Sequence, residues 1–213
     1  MPILKPSVLQ FYPLADVKVH LWQLTETLDE LCSLLPDSSI LKEAPYSDFK
    51  SEKRKKEWVA IRVLLSRVCE LPLSICYCPN GKPFLAPAVA EISISHTKEV
   101  VGLSFSSQSI GMDVEHLDPR PLRLVSQFLN IDDFNPFSVP YAELMATFMW
   151  SAKESVYKLV SIPELELKAH ISLFPETVDE QYTHFKAYIY KIAKIADVYC
   201  YRLDTFVLTL AKF

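Results

Sequence analysis

A chain of 213 residues, half of them apolar and 23% charged, has globular composition rather than that of a disordered tail, and is long enough to bury on the order of 70% of its unfolded surface. Its formal net charge of −4 argues against a general nucleic-acid binder, and without a run of about 18 apolar residues no membrane-spanning helix is expected. The opening Met1-Pro2-Ile3-Leu4-Lys5-Pro6 lacks the basic and apolar regions of a signal peptide, and Cys32, Cys69, Cys76, Cys78 and Cys200 form no C-x-x-C pair. The expectation is a cytoplasmic protein with reduced thiols. Average glycine usage of about 7% predicts roughly fifteen in this length; there are three, Gly81, Gly102 and Gly111. The stretch they bracket is where the backbone needs special geometry or close approach.

In chain order, Val17 to Leu24 alternates as a strand and Leu28 to Leu35 fits one short helix. Pro36, Pro45 and the serines between them read as loop. Ser47 is a plausible N-cap for a helix carrying Trp58, Ile61, Leu65 and Val68 at helical spacing and stopped by Pro72. Its first half holds Lys50, Lys53, Arg54, Lys55 and Lys56, five cations in the seven residues 50–56, and Arg62 extends the basic character. Such a run is either a solvated face or a positive patch for a phosphorylated ligand or an acidic partner.

Short apolar runs follow: Leu73 to Cys78, Phe84 to Ala86, Ile92 to Ser95, Val100 to Phe105 and Ile110 to Glu115. The turn residues between them predict antiparallel strands, the last three as a meander. In that meander the first and third strands run the same way, which would bring Ser95-His96 to the sheet edge that carries Asp113 and Glu115. These two acids, two residues apart on a strand, share one face about 7 Å apart. Ile110, Met112 and Val114 line the other, taken as the core side. The acids are either solvated at a strand end or share a cation, and hard oxygen ligands of this kind suit Mg²⁺.

A short helix is expected from Pro121 to Leu129, and a strong one from Tyr141 to Val160 after Pro140. Met145, Met149, Ala152, Val156 and Leu159 face the core of that helix, and Trp150, Glu154 and Lys158 make a second stripe. Glu154 and Lys158 also form a favourable i, i+4 pair. The tail from Tyr182 to Phe213 alternates as two or three antiparallel strands. The fold class is α+β: two similar halves, residues 1–108 and 109–213, each a helix with antiparallel strands, in a pseudo-twofold arrangement.

Ser95 and His96 are adjacent and point apart on a strand, and no G-x-S-x-G elbow exists, so a Ser-His-Asp hydrolase is set aside. No cysteine or histidine group has zinc-ligand spacing, and there is no Walker-type or G-x-G-x-x-G loop. Acids with cations remain, the ingredients of metal-assisted phosphate chemistry.

Four stretches then follow in order: Asn80-Gly81-Lys82-Pro83-Phe84-Leu85; Ile92-Ser93-Ile94-Ser95-His96-Thr97; Gly111-Met112-Asp113-Val114-Glu115; and Trp150-Ser151-Ala152-Lys153-Glu154-Ser155-Val156-Tyr157-Lys158. Together they resemble the 4'-phosphopantetheinyl transferases of the surfactin-synthetase-activating type, over roughly Ser47 to Val160. The resemblance implies two α+β halves with coenzyme A bound in the cleft between them, and transfer of its phosphopantetheine arm to a serine of an acidic, helical apo carrier protein, releasing 3',5'-ADP. It also implies a monomer. By position Asp113, Glu115 and Glu154 would hold Mg²⁺, and Lys158 would neutralise charge on the phosphates. Glu154 would take the proton of the carrier serine, directly or through a water. Lys82 and Pro83 would sit by the adenosine, and Ser95 and His96 by its phosphates, with His96 counted in the catalytic set. Arg62 and Lys50 match the amino-terminal basic positions. The family often has a glycine-containing loop after the W-x-x-K-E-x-x-x-K helix; Leu159-Val160-Ser161-Ile162-Pro163-Glu164 has none. The alternatives are a catalytically inactive carrier-binding module of the same fold and an unrelated Mg²⁺-dependent phosphohydrolase.

Overall fold

The computed structural model describes residues 9–11 and 14–213. The opening hexapeptide read for a signal sequence lies outside them. The chain divides into two compact units: residues up to Cys76 together with Pro83–Ser107, and Tyr77–Lys82 together with Gln108–Phe213.

The first unit begins with strands β1 (Leu9–Phe11) and β2 (Leu14–Gln23) and helix α1 (Leu28–Ser33). Thr27 and Glu30 form a capping box on α1: the Glu30 amide donates to Thr27 Oγ1 and the Thr27 amide to Glu30 Oε2, satisfying two orphan donors. Helix α2 (Glu52–Val68) is capped by Ser51, whose hydroxyl accepts from the Arg54 amide. Ser47 was the expected cap, but it lies in the preceding turn, so Lys50 stands outside the helix. Apolar periodicity locates a helix better than the serine that starts it. Strands β3 (Ser74–Tyr77) and β4 (Pro83–Ala86) form a two-stranded ribbon, and β5 (Glu91–His96) and β6 (Val100–Ser106) complete the unit. A four-stranded sheet runs β1-β2-β6-β5, with β6 antiparallel to both neighbours. Val59, Ala60, Val63 and Leu64 of α2 close a core with Trp22, Ile92, Val101 and Leu103 of the sheet.

The second unit opens with β7 (Ile110–His116) and two single-turn helices, α3 (Arg120–Arg123) and α4 (Val125–Phe128), where one short helix was expected. The long helix α5 (Ala142–Val160), the short α6 (Leu167–His170) and strands β8 (Ile171–Thr177), β9 (Tyr182–Ile189), β10 (Lys194–Leu203) and β11 (Phe206–Lys212) follow. The five-stranded antiparallel sheet runs β7-β11-β10-β9-β8. Met145, Met149, Ala152, Val156 and Leu159 of α5, all no more than 2% exposed, pack on Phe185, Ala187, Val198, Cys200 and Val207. In both units the strand before the long helix pairs antiparallel with the unit's last strand, β2 with β6 and β7 with β11. This matches the α+β reading of two similar halves.

One expectation is overturned. β7 does not complete a meander with β5 and β6; it pairs with β11 in the other sheet. The step that gathered Ser95-His96 beside the acids through that meander therefore fails. Alternation with period 2 shows that a segment is a strand but not which strand it joins. Ile110, Met112 and Val114 are buried, as the core-side reading expected, but it is the opposite face that meets the helix. Gly111, Asp113 and Glu115 lie on the α5 side, where a Cβ on Gly111 would overlap the Ser155 carbonyl and crowd the Leu159 amide. The glycine brings β7 and α5 to backbone contact. Strand β8 had no counterpart in the sequence reading.

Candidate active site

The second unit holds the acid pair and the motif helix. Asp113 is 4% exposed, and its two carboxylate oxygens are held from positions two turns apart on α5. Ser151 Oγ donates to Oδ2 at 2.8 Å and Lys158 Nζ donates to Oδ1 at 2.7 Å. Ser151 and Lys158 are seven residues apart, two helical turns, and so lie nearly in line on the helix. Glu115, two residues along β7, accepts from Trp150 Nε1 at 3.0 Å through Oε1, and the Trp150 ring meets Phe128 edge-on. Glu154 lies between Ser151 and Lys158 on the same helix face. A cavity of about 210 Å³ lined by Glu115, His116, Asp118, Arg120, Leu124 and Trp150 opens beside them.

The electrostatics are unbalanced. Burial, followed by the charge of Asp113, raises Glu115 above the usual carboxylate range, against the opposing pull of the Trp150 bond and Lys158. Burial and then Asp113 raise Glu154 as well, with Lys158 opposing. Three carboxyls feel one another's charge, with one ammonium among them. Among the described residues no group of three or more His, Cys, Asp and Glu side chains stands arranged to hold a metal ion. The chemistry of the donors nonetheless fits a hard divalent cation. All three are carboxylates, two are pushed toward the neutral form by burial and mutual repulsion, and a dication would reverse that push. Mg²⁺ takes few protein carboxylates and completes its shell with water and phosphate oxygens.

Lys153, on the face of α5 away from β7, is fully buried. Its ammonium, with three protons to give, lies within hydrogen-bond distance of Asp133 Oδ2 at 2.6 Å, Ile171 O at 2.7 Å, Phe128 O at 2.9 Å and Leu167 O at 3.2 Å. It ties α5 to the end of α4, the loop after it, α6 and β8. Burial pulls its pKa down while Asp133 pulls it up. Its role is structural. The chain leaves α5 through Ser161, a left-handed residue at φ 47°. The Ser161 carbonyl accepts from Asn80 Nδ2 at 2.6 Å. Asn80 lies in the turn before Lys82, where Gly81 adopts φ +84°.

In the first unit Ser95 is buried and His96, the last residue of β5, is exposed. His96 Nδ1 lies 3.3 Å from Oε1 of Glu57, a buried residue of α2 that also has Lys53 Nζ at 3.7 Å. Arg62 stacks over Trp58 at 3.4 Å and donates to the carbonyls of Trp58 and Ile75, so much of its guanidinium serves the fold. Lys50 lines an open depression of about 380 Å³ that it shares with Lys55, Asp29 and Glu52. Arg54 and Lys55 of the basic run stand over Phe49 and Tyr46. Pro83 opens β4.

Sequence reasoning passed over Ser151, Lys153, Thr209 and Glu57. The heptad step from Ser151 to Lys158 was a readable sign for the first. The others depend on tertiary neighbours that no local pattern names.

No model of a known protein family matches the chain. A protein to which the chain is similar is a phosphopantetheinyl transferase. That protein is the 4'-phosphopantetheinyl transferase AcpT of Salmonella typhimurium, 29% identical over 131 residues, which span 58% of this chain and 65% of AcpT. The similarity supports the superfamily and does not single out the surfactin-synthetase-activating type. No helix among the described residues is long and apolar enough to cross a membrane.

Proposed function

We propose that the protein transfers the 4'-phosphopantetheine group of coenzyme A to a serine of an apo carrier protein, releasing 3',5'-ADP, as a Mg²⁺-dependent enzyme of the surfactin-synthetase-activating type. The observation that carries this is the convergence of Asp113 and Glu115 from β7 with Glu154 and Lys158 from α5. The sharing of Asp113 between Ser151 and Lys158 supports it.

In this reading Asp113, Glu115 and Glu154 hold Mg²⁺, which when bound supplies positive charge to the pyrophosphate of coenzyme A. Lys158, whose ammonium already reaches into the site, adds charge where the leaving phosphate gathers it. Glu154 accepts the proton of the carrier serine hydroxyl. The serine oxygen bonds to the phosphorus that bears the pantetheine arm, and the bond from that phosphorus to the oxygen shared with the adenosine phosphate breaks. Lys82, Pro83, Ser95, His96, Arg62 and Lys50 are assigned to the nucleotide part of coenzyme A. Of these, His96 has its Nδ1 3.3 Å from Glu57 Oε1.

The test is purified protein with Mg²⁺, coenzyme A and apo carrier proteins of fatty-acid, polyketide and peptide type, read by intact mass. Gain of one phosphopantetheine group, lost in Asp113→Ala and Glu154→Ala while circular dichroism is kept, is the expected result. No gain on any carrier would favour the inactive binding module. Cleavage of coenzyme A without carrier labelling would favour the phosphohydrolase.

A further inference from the structure

Thr209 of β11 is the direct cross-strand partner of Asp113 on β7. Paired residues of antiparallel strands project from the same face, so both side chains meet α5, and Ser151 of the helix closes the group. Ser151 and Thr209 are 0% exposed. Ser151 Oγ lies 2.8 Å from Asp113 Oδ2 and 2.9 Å from Thr209 Oγ1, and Thr209 Oγ1 lies 2.9 Å from the Ser151 carbonyl oxygen.

The proton inventory fixes the direction of these bonds. Each hydroxyl has one proton to give, and an ionised carboxylate only accepts. Ser151 therefore spends its proton on Asp113, and Thr209 gives its own to the Ser151 carbonyl oxygen, with its Oγ1 in contact with Ser151 Oγ. This relay of contacts from Thr209 through Ser151 to Asp113 ends in a bond to a charge, the stronger kind of hydrogen bond. It holds Oδ2 from the protein side, while Oδ1 meets Lys158.

We propose that Ser151 and Thr209 are positioning residues for the cation site: they fix the rotation of the Asp113 carboxylate, whose Oδ1 would be shared between Lys158 and a divalent ion. The inference rests on the metal assignment made for the proposed function but not on the transferase chemistry. Hydrogen-bond partners behind metal ligands cost about 10- to 100-fold in metal affinity when removed.

The full chain, without coenzyme A or carrier, is titrated with Mn²⁺ and free ion is read by electron paramagnetic resonance. Ser151→Ala is expected to weaken Mn²⁺ binding by about 10- to 100-fold, Thr209→Val to weaken it by a smaller factor, and Thr209→Ser to restore it. In the transfer assay the loss in Ser151→Ala falls mainly on the Mg²⁺ concentration required and less on kcat. A folded Ser151→Ala protein with wild-type Mn²⁺ affinity overturns the proposal. If that variant does not fold, equal affinities in Thr209→Val and Thr209→Ser overturn it instead. A wild-type protein that bound no Mn²⁺ would overturn this inference and the metal assignment together. A wild-type protein inactive in transfer, whose Mn²⁺ affinity still falls in Ser151→Ala, supports the relay and overturns the transferase reading alone.

Discussion

Lys158 Nζ lies 2.7 Å from Asp113 Oδ1, an ion pair between a helix cation and a strand acid 45 residues earlier, with the lysine side chain 27% exposed and the aspartate side chain 6%. Its depth lies between surface pairs, worth about 0–1 kcal/mol, and fully buried ones, whose breaking costs about 3–5 kcal/mol. Lys158→Met should therefore lower stability by about 2 kcal/mol in urea unfolding. Transfer should fall far more than that loss explains, because the substituted helix position also loses its charge toward the phosphates.

Glu154 is raised above its ordinary value of 4.5, first by burial and then by Asp113. Below that value the group is protonated in both folded and unfolded chains and contributes nothing. As pH rises through the raised folded value, the unfolded chain releases its proton more readily and stability falls. Glu154→Gln does not carry this cost. Without added metal, its urea midpoint should exceed that of the wild type at about pH 8, with the gap closing at about pH 4. Mg²⁺ should raise the melting temperature of the wild type and leave Glu154→Gln almost unmoved.

Gly111 has the Ser155 carbonyl and the Leu159 amide where a Cβ would go. These are backbone atoms of a packed helix and cannot swing aside. Gly111→Ala should cost at least about 2–3 kcal/mol, the upper range for overpacked sites. It should also depress transfer even where the protein remains folded, because Asp113 and Glu115 ride on the displaced strand. Parallel urea unfolding and mass-read transfer check both.

Much of the second unit was legible because its signals are local. The stripe Met145, Met149, Ala152, Val156 and Leu159 follows from helical period, and Asp113 and Glu115 share a face by strand period. What failed was non-local. The same alternating pattern allowed β7 to follow β6 or to join β11, and only the three-dimensional pairing decides. The apolar Met112 face and the acid-bearing face are both buried in β7, so polarity did not tell which one the helix covers. The paucity of glycine did point to the site, since Gly111 makes the close approach on which it is built. Lys153 illustrates the opposite limit: a lysine inside a motif rich in charge reads as functional or solvated, and its burial is set by four acceptors from distant segments.

Ser161 ends α5 with φ 47°, a conformation that costs a side-chain-bearing residue roughly 1–2 kcal/mol and glycine almost nothing. Glycine also has more freedom to lose from the unfolded chain, which offsets part of the gain. Ser161→Gly should raise stability by about 0.5–1 kcal/mol. The bond from Asn80 reaches the backbone carbonyl and survives the change, so transfer should be unaffected. Thermal and urea unfolding are the measurements.

Lys153 is sealed behind Asp133 and three carbonyl oxygens, with no surface of its own. An amine-reactive reagent needs a path to the amine, and this one offers none while the second unit stays closed. In a timed acylation experiment mapped by peptide mass, the exposed lysines of the basic run should modify within the first interval. Lys153 should remain untouched until the surrounding helices part, which makes it a built-in clock for the opening of that core.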